Sequence, residues 1–164
     1  MLRDKSLIPL SHQHQRALAL CVRIDRASPI GDDDLALWRK EIAQLFREEI
    51  GIHFAAEEQV VFPAANEFAE LIPLVDELCL DHGWLREHFA LITSDRTSAS
   101  EVSAIAERLA AHIRKEERQL FQRMQELMNP GDLATLGLKL DEALKDSTHA
   151  CVLPTKATRL RASK

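Results

Sequence analysis

Apolar residues recur at three- and four-residue spacing along four stretches of the 164-residue chain, the period of an amphipathic helix face. In the first stretch the row is Leu7, Leu10, His14, Ala17 or Leu18, and Cys21. The second gives Trp38, Ile42, Leu45 or Phe46, Glu49, His53, Glu57 and Val60. The third reads Val75, Leu78, His82, Leu85, Phe89 and Ile92, and the fourth Val102, Ile105, Leu109, His112, Glu116 and Leu120. Every stripe is broken by histidine, and two carry glutamate as well. A polar group on a core-facing stripe needs a partner, because burying it unpaired costs on the order of 2–7 kcal/mol.

Local punctuation predicts where these helices begin and end. The first is expected from about Leu10 to Arg26, with Ser11 as its cap, before the turn ASPIGDDD. The second should run from Asp33 or Asp34 to Phe62, where Pro63 removes a backbone donor and is expected to kink or end it. The third is placed from near Pro73 to about Thr93, and the fourth from Ser98 or Ser100 to Met128, before the strong stop Asn129-Pro130-Gly131. A short helix is expected from about Asp132 to Lys145. The predicted architecture is all-α, an up-down-up-down four-helix bundle with a short C-terminal helix, residues 1–146 forming one metal-binding domain and 147–164 a polar, frayed tail. In such an arrangement, ligands at one level lie equally far from their connecting loop. His53/Glu57 and His82 are about equally far from a loop near Glu70, and Thr97 lies midway between His82 and His112. The midpoint between His14 and His53/Glu57 falls near Asp34 rather than Gly31, a shift of roughly one turn or less.

Composition narrows the function classes. Aromatics are 5%, tyrosine is absent, and Ala, Leu, Glu and Arg dominate, which favours helix. A formal charge of -5 without a basic stripe argues against nucleic acid as the main partner. Cys21, Cys79 and Cys151 are odd in number and unpatterned, so a reducing compartment fits better than a disulfide framework. No apolar run approaches the roughly 18 residues of a membrane span, and MLRDKSLIPL lacks the apolar stretch of a secretory signal. A cytoplasmic protein without a membrane partner is expected.

The chemistry lies in His53-x-x-x-Glu57 and His112-x-x-x-Glu116. On a helix, residues i and i+4 sit about 6 Å apart along the axis and about 40° apart around it, so an imidazole and a carboxylate can reach one ion. Two such half-sites facing each other would hold a metal pair. Each continues in the same way, HFAAEEQVVFP and HIRKEERQLF. Glu58 and Glu117, rotated about 100° from their neighbours, are expected to be solvated rather than ligating. In the first helix His14 is flanked by Leu10, Ala17 and Leu18 and is the better core residue, whereas His12 shares its face with Gln15 and Arg16. His88 and His149 are read as solvent-side or tail residues. Glu49 is placed either to orient an imidazole or at the rim; Trp38, Trp84, Phe46 and Phe89 are read as packing, and Cys79 as a small buried hydrophobe. The ferritin-like Glu-x-x-His template fails, because Ile50, Cys79 and Leu109 stand three residues before His53, His82 and His112. A single histidine on an apolar stripe is ordinarily a hydrogen-bonded core residue. Four histidines and two glutamates at one depth are another matter, since metal coordination removes their desolvation cost.

The segments LSHQHQRALAL, HFAAEEQVVFP, LDHGWLREHF and HIRKEERQLF, in this order, resemble the ligand-bearing helices of the hemerythrin-like HHE cation-binding family. The resemblance implies a four-helix bundle around a non-haem di-iron centre, oxo- or hydroxo-bridged, with manganese or zinc as substitutes. Carried over residue by residue, it implies His14, His53, Glu57, His82, His112 and Glu116 as ligands, the two glutamates bridging. Oxygen-carrying hemerythrins have a further histidine where this chain has Arg86, and use a longer spacing to an aspartate in the fourth helix, which here would fall on Glu117. These departures argue against simple oxygen carriage. The implied function is binding or sensing of a small diatomic or peroxide ligand (O2, NO or peroxide) or of iron, a sensor requiring a protein partner. The alternatives are a redox-stress enzyme for iron-sulfur repair, peroxide or NO handling, and an iron-storage or structural bundle. The first ten residues are expected to leave no room for the cysteine-bearing N-terminal domain of some repair members.

Overall fold

The computed structural model describes residues 2–92 and 96–145, and all regular structure among them is helical. Helix α1 is Ile8–Ala27, α2 spans residues 32–65, α3 is Ile72–Leu91, α4 spans residues 99–127, and α5 is Pro130–Ala143. The expected tail, with His149 and Cys151, lies outside the described residues.

The ends follow from local chemistry, with two corrections. Helix α1 starts earlier than expected, with Pro9 in its first turn and no side-chain cap. Ser11 does not cap it; its hydroxyl donates to Glu117 at 2.7 Å. Helix α2 opens with Asp32, Asp33 and Asp34 at its positive end. It does not end at Pro63 but continues to Ala65. Just before that proline the helix makes a π turn, Glu57–Val61, in which Phe62 N–H donates to the Glu57 carbonyl five residues back. Pro63 then sits at the junction where the ladder returns to ordinary spacing, a place where a missing donor costs little. Helix α4 has a capping box: Ser98 Oγ accepts from the Glu101 N–H at 3.3 Å, and the Glu101 carboxylate accepts from the Ser98 N–H at 2.6 Å. Asn129 caps α5 through the N–H groups of Gly131 and Asp132.

Among the described residues two further π turns occur, Phe46–Ile50 in α2 and Glu116–Leu120 in α4. Two of the three therefore begin at the glutamates of the two His-x-x-x-Glu motifs. Such turns insert a residue into the helix and re-aim its side chains, and they concentrate at functional sites.

The apolar core is split into two clusters by a polar layer. One holds Leu20, Ile24, Trp38, Ile42, Leu85, Phe89, Ile105 and Leu109 among others. The second holds Leu7, Leu10, Val61, Phe62, Val75, Leu78, Leu120 and Phe121, with Leu133, Leu136 and Leu140 of α5 closing it. His14, His53, His82 and His112 fall between the clusters on their four helices. Helices α1 and α3 pass from the second cluster into the first, and α2 and α4 pass the other way. Helix α5 approaches the N-terminal segment so closely that a Cβ on Gly137 would lie 2.9 Å from Ser6, which requires glycine there.

Candidate metal centre

Six buried side chains meet in the polar layer. His14, His53, Glu57 and Glu116 form one group and Glu57, His82, His112 and Glu116 a second; within each, one donor atom per residue lies within 4.8 Å of the others. All four imidazoles point Nε2 inward. The two Nε2 atoms of His14 and His53 are 2.9 Å apart, and those of His82 and His112 3.1 Å. Each glutamate divides its oxygens between the groups. Glu57 turns Oε1 to His53 at 3.1 Å and Oε2 to His82 at 3.4 Å; Glu116 turns Oε1 to His112 and Oε2 to His14, both at 3.2 Å. None of these four carboxylate oxygens makes a hydrogen bond, although both residues are 0% exposed. Unpaired carboxylates at that depth are costly unless a cation answers them.

Around this layer runs a closed relay of outer partners, each helix serving the histidine of the next. On α1 the Gln13 amide oxygen accepts from His53 Nδ1 at 2.7 Å. On α2 Glu58 accepts from His82 Nδ1 at 2.8 Å, and on α4 Glu117 accepts from His14 Nδ1 at 2.8 Å. Asp81 of α3 faces His112 Nδ1 at 3.6 Å, beyond hydrogen-bond reach, so this link is charge attraction alone. Arginines or lysines hold the carboxylates in turn: Arg86 grips both oxygens of Glu58, Arg3 binds Glu117, and Arg108 and Lys115 bind Asp81. Three imidazoles are thereby fixed with a proton on Nδ1 and with Nε2 turned inward, the arrangement of a metal-ligating histidine. Phe121 and Phe62, the residues closing the two π turns, lie against His14 at 5.7 Å and His82 at 5.3 Å between ring centroids.

Electrostatics make the layer a charge cluster. Burial disfavours the charged form of His14, but Glu116, Glu117 and Glu57 outweigh it and lift its pKa to about 9. Burial likewise opposes His112, and Glu116, Asp81 and Glu57 raise it to about 10. Burial pushes Glu57 up, yet His53 and His82 hold it well below the carboxylate range. Burial and Glu57 push Glu116 up, while His112 and His14 bring it below its ordinary value. In the apo state His14 and His112 are thus protonated at neutral pH, each with an Nε2–H turned inward. Each such proton occupies the inner face of a group that has the donors of a metal site.

His14 is buried and His12 exposed. His88 is half-buried, its Nδ1 bonded to the Trp84 carbonyl and its ring stacked on Trp84. Trp38 and Phe89 are buried, and Phe46 and Trp84 pack partly buried against the same cluster. Glu49 meets no imidazole; it is buried and paired with Arg16. Cys79 is exposed rather than buried, because three residues before His82 puts it about 60° off the inward direction of α3. Glu58 and Glu117 are not bystanders: pointing away from their own neighbours, they reach the histidine of the adjacent helix. Gln13 and Asp81 were missed. Their signal is position, since each immediately precedes a stripe histidine, as Glu58 and Glu117 immediately follow the stripe glutamates.

The two buried His/Glu groups of this all-helical protein are of a kind that could hold metal ions. A family model for the hemerythrin HHE cation binding domain matches residues 9–124, and the chain belongs to that family. No curated protein and no solved structure matches it. Among the described residues, no helix is long and apolar enough to cross a membrane.

Proposed function

We propose that the chain is a non-haem di-iron protein that binds or senses a small diatomic or peroxide ligand. The observation that carries this reading is the pair of buried glutamates whose four unbonded oxygens are divided between two histidine pairs. His14 and His53 would hold one ion, His82 and His112 the other, and Glu57 and Glu116 would bridge them. This gives each ion four protein donors, and imidazole with carboxylate suits iron, with manganese or zinc as substitutes. The alternating passage of the four long helices between two apolar clusters supports an up-down-up-down bundle. The free thiols of Cys21 and Cys79 support a reducing compartment such as the cytoplasm.

Two iron ions so held would supply open coordination positions and a reversible store of electrons. The chain's own residues do the rest. Glu57 and Glu116 bring negative charge that offsets the cations, and the outer relay locks the imidazole rings. The flanking apolar clusters keep water away, which strengthens every charge interaction within. Arg86, standing where oxygen carriers have another histidine, turns outward to Glu58, so that the two groups have equal sets of donors. Anaerobic loading with Fe(II) followed by metal analysis tests the reading. About two irons per chain are expected from the two donor groups; a reproducible plateau at one, with the helices intact, overturns the bridged pair.

A further inference from the structure

The equal donor sets hide an unequal approach from solvent. A cavity of about 10 Å³, near the room one water needs, touches the centre only at His14 and His53. On the other side His82 is covered by Phe54, stacked at 3.8 Å, and by Phe62 at 5.3 Å. Outside the small cavity lies a cleft of about 440 Å³ between α1 and α5, lined by His12, Arg16 and Asp141 among others. The two spaces share Gln13 as a wall, and they are joined by one ion pair. Arg16 lines the cleft, Glu49 lines the cavity, and Arg16 Nε donates to both Glu49 oxygens at 3.0 and 3.1 Å.

The two partners differ in freedom. The Arg16 side chain is 38% exposed and can swing into the cleft, while Glu49 is 1% exposed and fixed in the wall. Glu49 lies within the π turn Phe46–Ile50, where α2 departs from regular spacing. The pair is formed in the structure, and breaking it leaves a buried carboxylate without its cation. We propose that the Arg16–Glu49 ion pair is the gate through which ligands of two or three atoms pass between the α1–α5 cleft and the His14/His53 half of the centre. The gate sets the rate of exchange; it does not set affinity, since neither residue is hydrogen-bonded to an imidazole or a glutamate of the centre.

This inference rests on the metal-centre reading, and azide binding to the iron-loaded, oxidised protein separates the two. The test variant is Arg16→Ala with Glu49→Gln, which opens the wall without leaving a buried charge unpaired. Stopped-flow mixing should give azide association and dissociation rates both raised roughly tenfold, with Kd and iron content unchanged within about twofold. Arg23→Ala, which breaks the comparable Arg23–Glu41 pair, should leave both rates as in wild type. A wild type that takes up no iron, or takes it up and develops no azide band, overturns the metal reading and the gate with it. Normal azide binding whose two rates the double variant leaves unchanged overturns the gate alone, as does a change confined to dissociation.

Discussion

The His14/His53 half of the centre and the His82/His112 half contain the same donors, share the same two glutamates, and are built from the same local device. In each, a histidine and a glutamate one turn apart lead into a π turn closed by phenylalanine, and that phenylalanine lies against a histidine of a neighbouring helix. The surroundings differ. His53 has a neutral outer partner in Gln13, whereas His112 faces Asp81, a carboxylate that the imidazole, Lys115 and Arg108 together hold below its ordinary range despite burial. The first half borders a cavity and the second is roofed by aromatic rings. Asp81 stands behind His112 as a negative charge without a hydrogen bond, whereas Gln13 is hydrogen-bonded to His53 but neutral. On the proposed two-ion reading, the same donors would hold one ion more firmly and leave the other more open to exchange, with the difference residing outside the donor set.

The largest effects should come from the groups that both halves share. If two ions are held as proposed, Glu57→Ala and Glu116→Ala each remove a donor from both, and each should reduce iron from about two to about one or fewer per chain. Retention of about two irons per chain, read by metal analysis and absorption spectra, would break the bridging role. Glu117→Ala should weaken iron at His14 without abolishing the pair. If Glu117→Ala proved as damaging as Glu116→Ala, the longer spacing of the oxygen carriers would apply instead.

Next in size are changes to a single half. His14→Ala should lose most of the iron of its own half and much of the metal-dependent rise in Tm, because an ion bound only to the folded state stabilises it by mass action. His12→Ala should be silent, since its ring is exposed. Thermal melts with and without Fe(II) check both; loss of metal in His12→Ala with retention in His14→Ala would reverse the assignment of the α1 face. Smaller still are changes to the outer partners, expected to weaken metal affinity by roughly 10- to 100-fold. Asp81→Asn should weaken the His82/His112 ion more than Gln13→Ala weakens the other. Competition with a chelator measures both, and equal effects would remove the proposed inequality.

The six inward residues were legible because their signal is periodic. His14, His53, His82 and His112 stand where a leucine would, and Glu57 and Glu116 follow one turn on. The helix ends were legible to within a few residues wherever a cap or breaker acts locally, as Ser98 and Asn129 do. The outer relay was not, because whether Glu117 meets water or His14 depends on how α4 faces α1, which no spacing within α4 specifies. The π turns were hidden for a related reason: His-x-x-x-Glu reads the same whether or not the next turn gains a residue. Pro63 is expected to kink or end α2 after Phe62, and the helix instead runs on to Ala65 because the preceding π turn, unseen in the spacing, accommodates the missing donor. Cys79 was misread because an apolar stripe defines a direction more sharply than it defines the stripe's edges.

The smallest difference between the halves is in their protons. His14 is raised to about 9 and His112 to about 10, both from an ordinary value of 6.5. A raised imidazole pKa means that the folded apo protein binds the proton more tightly than the unfolded chain does. This stabilisation is fully present below pH 6.5 and is lost as pH climbs through 9 for His14 and 10 for His112. Glu117 acts oppositely: burial raises it, but His14, Ser11 and Arg3 lower it from 4.5 to about 2, so its contribution is lost as pH falls through that interval. The apo Tm should therefore be highest between about pH 4.5 and 6.5 and decline toward pH 10. Metal reverses the alkaline trend, because ions compete with these same protons and bind better as they leave. The Fe(II)-dependent increment in Tm should grow from pH 6 to 9, and loading at neutral pH should release roughly two protons per chain, one from each half. Proton release measured calorimetrically in buffers of different ionisation enthalpy provides the check. Release of a single proton, with His14→Ala and His112→Ala giving different residual values, would show that only one half is charged before metal arrives.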